Sequence, residues 1–191
     1  MKLRIAARKS DLARLQATWV AQKIERLCQS RGQELEIEFF FSESLGDKNQ
    51  NDPLWKMPEK GVFTSDLSMG LEQGRYDLVV HSWKDLPLES DSQVLGCPGR
   101  VDSRDVILFR RDAITLWQKS HELVVLSSSP RRERNLSGFL TTHLPKAPES
   151  VRFVPVRGNI PTRIKKLLDA ESGAHALVIA KAALERLLSP P

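Results

Sequence analysis

Short apolar runs along this chain alternate with longer segments in which apolar residues return every three or four positions. The first run, over 3–7, reads as a strand. Leu12, Leu15, Trp19, Val20, Ile24 and Leu27 then recur at near-helical spacing and predict a helix over about 11–31, with Gly32 as its stop signal. Residues 34–41 alternate charged and apolar side chains before ending in three Phe, which predicts a second strand. The stretch 42–60 is polar, holds Gly46, Pro53 and Pro58, and reads as a long loop of the kind that is often functional. A helix over about 63–73 leads into a strand at 77–81. Further strands are expected at 106–109, 123–126, 151–156 and 176–180, with helices at about 130–140, 160–171 and 181–188 between or after them. Strands alternating with helices predict a mostly parallel α/β architecture in both halves. The Gly- and Pro-rich segment 94–104 breaks the rhythm and is expected to form an interdomain hinge. The resulting division is a first α/β domain at 1–96, a hinge at 97–104 and a second α/β domain at 105–191.

Polar residues gather where the expected strands end. Leu78, Val79 and Val80 are followed at once by His81, Ser82, Lys84 and Asp85. A buried strand would deliver those side chains to its C-terminal end, where open α/β sheets place their binding crevices. Arg8 and Ser10 stand in the same relation to the first strand. SSSPRR, residues 127–132, follows the run LVVL and opens a helix with Pro near its first position. In VRGNIPTR, Arg157 follows a strand, Gly158 permits close backbone approach, and Arg163 lies a turn into the next helix. A planar guanidinium binds carboxylate or phosphate bidentately, so Arg-lined helix starts suit an anionic ligand. Each position also has a plainer reading. Ser10 is a natural N-cap, the serine cluster caps a helix whose Arg side chains face solvent, and Asp85 caps a turn. His81 reads more naturally as a strand-end residue satisfied by backbone than as a general base. The pairs Arg104-Asp105 and Lys60-Gly61 either face a crevice or bridge two domains. Asp85 stands apart in sign: a carboxylate among cations suits chemistry that develops positive charge on a bound polyanion.

Charge sharpens this picture. The net +5 over 191 residues conceals 13 Lys+Arg against 15 Asp+Glu in 1–96, and 16 against 9 in 97–191. The basic excess of the second half fits an anionic ligand there. Nucleic acid lacks support, since the chain has no zinc-finger spacing, aromatic RNP-like run or long basic tract. With 40% apolar and 28% charged residues the composition is that of a soluble globular protein. No window resembles a membrane span, and the N-terminus has no signal-peptide core. Cys28 and Cys97 belong to no CxxC pair, which suggests a reducing, cytoplasmic setting.

The motifs occur in one order: Arg8-Lys9-Ser10 with Gln16, KGVF at 60–63, VVHSWKDLP at 79–87, SRD at 103–105, SSSPRR at 127–132 and RGNIPTR at 157–163. That order and spacing resemble the porphobilinogen deaminase family, also called hydroxymethylbilane synthases, which serve tetrapyrrole (heme and porphyrin) biosynthesis. The resemblance covers nearly the whole chain and is most specific in HSWKDLP and SSSPRR. It implies a two-lobed α/β fold like type II periplasmic binding proteins, with the active site in the cleft between lobes. It implies a transferase joining four porphobilinogen units head to tail, with release of ammonia at each step. Asp85 matches the family's catalytic carboxylate, which would stabilise the cationic pyrrole left when ammonia departs. Arg8, Ser10, Gln16, Lys60, Ser82 and Lys84 match substrate- or cofactor-binding positions in the first half. Ser127, Ser128, Ser129, Arg131, Arg132, Arg157, Gly158 and Arg163 do so in the second.

Departures from the family pattern shape the expectation. Family members continue into a third domain whose Cys covalently holds a dipyrromethane primer, whereas this sequence ends at Pro190-Pro191. Neither Cys28 nor Cys97 stands in the attachment motif, and the glycine-rich return segment is missing. Ser127 replaces a usual Thr, and Pro130 a usual apolar residue. Three readings follow. The chain is a minimal enzyme that holds dipyrromethane noncovalently and without metal. Alternatively it is a non-catalytic binder of porphobilinogen, a linear tetrapyrrole or another polycarboxylate. In the third, a separate third-domain polypeptide completes it or the chain is a fragment, and a homodimer would cover the apolar surface left where that domain docks.

Overall fold

A computed structural model describes residues 1–43, 64–86, 96–99 and 101–189. Most of the expected 42–60 loop, the KGVF motif with Lys60 and Gly61, and part of the expected hinge lie outside the described residues. The chain divides into two compact units, Met1–Arg100 with Glu185–Pro191, and Val101–Leu184.

The first unit holds β1 (Lys2–Arg8), α1 (Asp11–Gln29), β2 (Glu36–Ser42), α2 (Ser65–Glu72) and β3 (Leu78–Val80). Its strands run parallel in the order β2-β1-β3. Because β1 is central, Ile5, Ala6 and Ala7 are fully buried. Ala17 and Ala21 of α1 cluster with Ile5 and Ala7, small side chains that let the helix approach the sheet closely, and Leu3, Ile37, Phe41, Leu78 and Val80 fill in around them. The stop signal acts as expected: Gly32 has φ +68°, a left-handed conformation that costs glycine little, and its N–H donates to the Gln29 carbonyl at 3.0 Å.

The second unit contains β4 (Asp105–Phe109), α3 (Ala113–Ser120), β5 (Glu122–Leu126), α4 (Pro130–His143), β6 (Ser150–Val154), α5 (Ile160–Leu168), β7 (Ala176–Ala180) and the start of α6 (Lys181–Leu188). The sheet order is β4-β7-β5-β6, parallel except that β4 runs antiparallel to β7. The unbroken apolar runs of β5 and β7 follow from burial on both faces. Leu123, Val125, Ala176 and Val178 meet Ala113 and Trp117 of α3 and Leu140 of α4 on one side. Leu126, Leu177 and Ile179 meet Val156, Ala174 and Leu167 of α5 on the other. Alternation along each strand thus serves two helical layers.

α3 was not foreseen from the apolar pattern. Its eight residues show no sustained periodicity, and its N-cap Asp112 makes no side-chain cap bond. Tertiary contact supplies the stability instead, since the Trp117 ring is buried and its Nε1–H donates to the Lys146 carbonyl at 2.9 Å. The helix expected over 160–171 stops at Leu168, and a 3-10 turn over Ala170–Ser172 follows.

Candidate functional site

Two groups of polar side chains form at strand ends, one in each unit. In the first unit, parallel pairing of β1 with β3 sets their C-terminal ends side by side. Arg8 is the last residue of β1, and Asp85 closes the 3-10 turn Trp83–Asp85 just beyond β3. The Arg8 Nη1–H donates to Asp85 Oδ2 at 3.4 Å, a long contact, with each side chain 19% exposed. No other hydrogen bond to that carboxylate forms among the described residues, so most of its acceptor capacity is open. Ser82 Oγ–H donates to Gln16 Oε1 of α1 at 3.1 Å, which ties the turn to the helix. Ser10 occupies the N-cap of α1, yet its hydroxyl makes no cap bond; its carbonyl accepts from the Arg14 N–H at 3.0 Å. Lys84 is exposed. Burial holds the His81 imidazole below its ordinary value, while Asp85 pulls it upward and Arg8 adds to the lowering.

In the second unit the three serines after β5 build the turn through hydrogen bonds to backbone. Ser127 is buried, and its Oγ accepts from the Ser129 N–H at 3.3 Å. Ser128 Oγ–H donates to the Val156 carbonyl at 2.8 Å and accepts from the Val156 N–H at 2.7 Å, stapling the residues after β5 to those after β6. Ser129 caps α4, accepting from the Arg132 N–H. These hydroxyls place the arginines.

Arg132 is bidentate on Asp105, Nε–H to Oδ2 at 3.1 Å and Nη2–H to Oδ1 at 2.7 Å, and Nη1–H reaches the Val178 carbonyl at 3.4 Å. Arg131 touches Asp105 Oδ2 through one contact of 3.4 Å. Arg163 on α5 donates from Nε–H to the Gly158 carbonyl at 2.8 Å. Gly158 has φ +107°, and a Cβ there would stand 2.8 Å from Thr162 Cγ2, so the close turn requires glycine. Burial lowers the Arg163 pKa from its usual value, and the proximity of Arg132 and Arg157 lowers it further. Arg163 therefore lies within the field of both Arg132 and Arg157.

Asp105 is the member whose role the sequence did not disclose. Arg104 and Asp105 do not pair with each other: Arg104 Nε–H donates to Asp102 at 2.9 Å, and Lys181 Nζ–H reaches the same carboxylate at 2.8 Å. Asp105 instead goes to α4 because β4 is antiparallel. The first residue of β4 is registered with Ala180, the last of β7, at the end of the sheet where β5 and β7 finish. A parallel β4 would have sent it to the opposite end. The signal that could have found it is an acidic residue opening a strand at the edge of an otherwise parallel sheet.

Set against known proteins, residues 3–189 match the sequence model of a family described as "Porphobilinogen deaminase, dipyromethane cofactor binding domain". A porphobilinogen deaminase of Caldicellulosiruptor saccharolyticus is 36% identical over 97% of this chain and 59% of its own length. One from Natranaerobius thermophilus is 35% identical over 97% of this chain and 56% of its own. A probable porphobilinogen deaminase of Methanothermobacter thermautotrophicus is 34% identical over 94% and 57%. The chain spans less than three fifths of the length of these curated relatives.

Proposed function

We propose, because this chain belongs to the porphobilinogen deaminase family, that it contributes the catalytic carboxylate and the carboxylate-binding arginines of a hydroxymethylbilane synthase-type transferase. The observation that carries the reading is the sign of the two groups. The second unit holds a partly buried Arg163 within the field of Arg132 and Arg157, a concentration of guanidiniums suited to anions. The first unit holds a half-sheltered carboxylate with one long contact.

In this reading Arg131, Arg132, Arg157 and Arg163 take acetate and propionate groups of porphobilinogen and growing oligopyrroles. Arg8, Ser10 and Lys84 do the same beside Asp85, Gln16 orients Ser82, and Gly158 gives the backbone room at Arg157. Lys60 belongs to the same proposal from the family match alone. Asp85 sits by the reacting pyrrole N–H and offsets the positive charge that grows as ammonia leaves. A preorganised electrostatic partner of this kind lowers a barrier by about 3–4 kcal/mol.

The same arginines fit a dipyrromethane, which carries several carboxylates and no metal requirement. When bound, that group supplies the pyrrole carbon to which the incoming unit is joined. Among the described residues both thiols are free: Cys28 is buried in α1, and Cys97 is exposed. The hold that this chain exerts is accordingly noncovalent, through ion pairs. Two free thiols also support placing the protein in the cytoplasm. Among the described residues no helix is long and apolar enough to cross a membrane.

Incubating the purified chain with porphobilinogen tests the proposal. Ammonia release with formation of uroporphyrin is the expected result. Saturable porphobilinogen binding without ammonia release would replace the enzyme with a binding protein.

A further inference from the structure

Two neighbouring arginines share one carboxylate unequally. Arg132 is only 16% exposed and holds Asp105 through two short bonds, with a third bond to the Val178 carbonyl. Arg131 is 68% exposed and reaches Asp105 by a single 3.4 Å contact, at which a hydrogen bond is weak. Asp105 itself is the first residue of β4, fixed by register opposite Ala180. It is therefore a tethered anion that stays beside the arginines whether or not a ligand is present. A tethered partner competes at a high effective concentration that a free ion does not match in dilute solution.

We propose that Asp105 is a resident counter-ion that sets the selectivity of this arginine cluster. It withholds Arg132 from small lone anions and leaves Arg131 as the guanidinium that a ligand meets first. A lone anion then pairs with Arg131 and must displace Asp105 for anything more. A ligand with two or more carboxylates pairs with Arg131 together with Arg163, which lies within the field of the neighbouring Arg132, and leaves the Arg132–Asp105 pair in place. Discrimination arises from the penalty on the unwanted ligand as much as from attraction to the wanted one. The repulsion felt by Arg163 fits this account, since a cluster without a resident anion would draw in any available one. The inference rests on the polycarboxylate reading above for the wanted ligand, but its treatment of lone anions stands apart from it.

Calorimetric titration with inorganic phosphate and with porphobilinogen tests both parts. Asp105→Asn keeps the shape and removes the charge. Its phosphate affinity should rise roughly tenfold, the scale of one additional charge-assisted hydrogen bond, with a smaller change for porphobilinogen. Asp105→Glu keeps the charge and should restore the wild-type preference. Unchanged phosphate affinity in Asp105→Asn, or an equal rise in Asp105→Glu, overturns the proposal. If Asp105→Asn does not fold, wild-type protein decides through its arginine Nε–H resonances. Phosphate should move the Arg131 signal at lower concentration than the Arg132 signal, and simultaneous movement contradicts the proposal. Looser phosphate discrimination in Asp105→Asn, with no porphobilinogen binding by any variant, supports the role of Asp105 and removes the ligand reading. Unchanged phosphate affinity with intact porphobilinogen binding does the reverse.

Discussion

The two units solve the same structural problem with opposite charge. Each has a sheet whose strands end in polar turns. In the first unit the turn beyond β3 presents Asp85, balanced by Arg8 at 3.4 Å. In the second, α4 and α5 present Arg131, Arg132 and Arg163, with Asp105 balancing the first two. An unsatisfied carboxylate is suited to offset a cation that forms during reaction. A surplus of guanidiniums is suited to hold a polyanion through many steps. The comparison teaches that fold alone does not allocate these roles, since both units are α/β. Local charge balance at the strand ends does.

The sharpest way to break this division is Asp85→Asn. Its turnover should fall by about 10²–10³-fold, matching the loss of one preorganised electrostatic partner, while folding is unchanged. Full ammonia release by this variant would end the chemical role of the first unit.

Arg132→Ala comes next. It removes two charge-assisted bonds and strands Asp105 in a half-buried site, so the second unit should lose about 2–3 kcal/mol in urea unfolding. The equivalent change at the exposed Arg131 should cost less than about 0.5 kcal/mol of stability, because exposed pairs contribute little. Equal losses would show that Asp105 does not distinguish the two.

Gly158→Ala should destabilise the second unit by about 1–3 kcal/mol, since alanine is strained at positive φ and its Cβ meets Thr162. The accompanying shift of Arg157 and Arg163 should weaken anion binding, which separates this variant from a purely structural lesion.

A smaller effect lies in pH. His175 is buried, and its Nδ1 accepts from the Val124 N–H at 3.1 Å while its backbone N–H donates to the Val124 carbonyl at 2.9 Å. Burial holds this imidazole below its ordinary value; Arg110 also lowers it, Asp112 and Glu122 raise it, and Arg152 lowers it. The folded state therefore refuses a proton that the unfolded chain accepts once pH falls below about 6.5. Stability is unaffected above that pH and declines below it, levelling off once folded His175 is protonated as well. Hydrogen-exchange protection of the Val124 amide should thus fall between about pH 7 and pH 5. His175→Asn, which retains an acceptor without a titrating ring, should flatten that dependence. His81 carries the same sign in the first unit.

Much of this molecule was legible in its sequence. The unbroken runs LVVL and ALVIA announced strands buried on both faces, and they are the two inner strands of the second sheet. Arg8, Asp85 and Arg132 could be placed near strand ends or helix starts from the sequence, because apolar runs and the Ser-Pro helix start mark those points. The backbone-bonding roles of Ser127 and Ser128 were hidden, because a hydroxyl that staples backbone reads in sequence like one that meets a ligand. The direction of β4 was hidden too, since its short apolar run looks the same in either orientation. That direction decides where Asp105 goes. Charge pairing that depends on strand direction is a tertiary property, whereas the placement of residues at strand ends is local.

The measurement that tests the division most directly is the porphobilinogen affinity of Asp85→Asn beside that of Arg157→Ala, by titration calorimetry. The account predicts that Asp85→Asn binds within about twofold of wild type, whereas Arg157→Ala binds at least about tenfold more weakly, the worth of one charge-assisted hydrogen bond. Equal weakening of the two variants would contradict it.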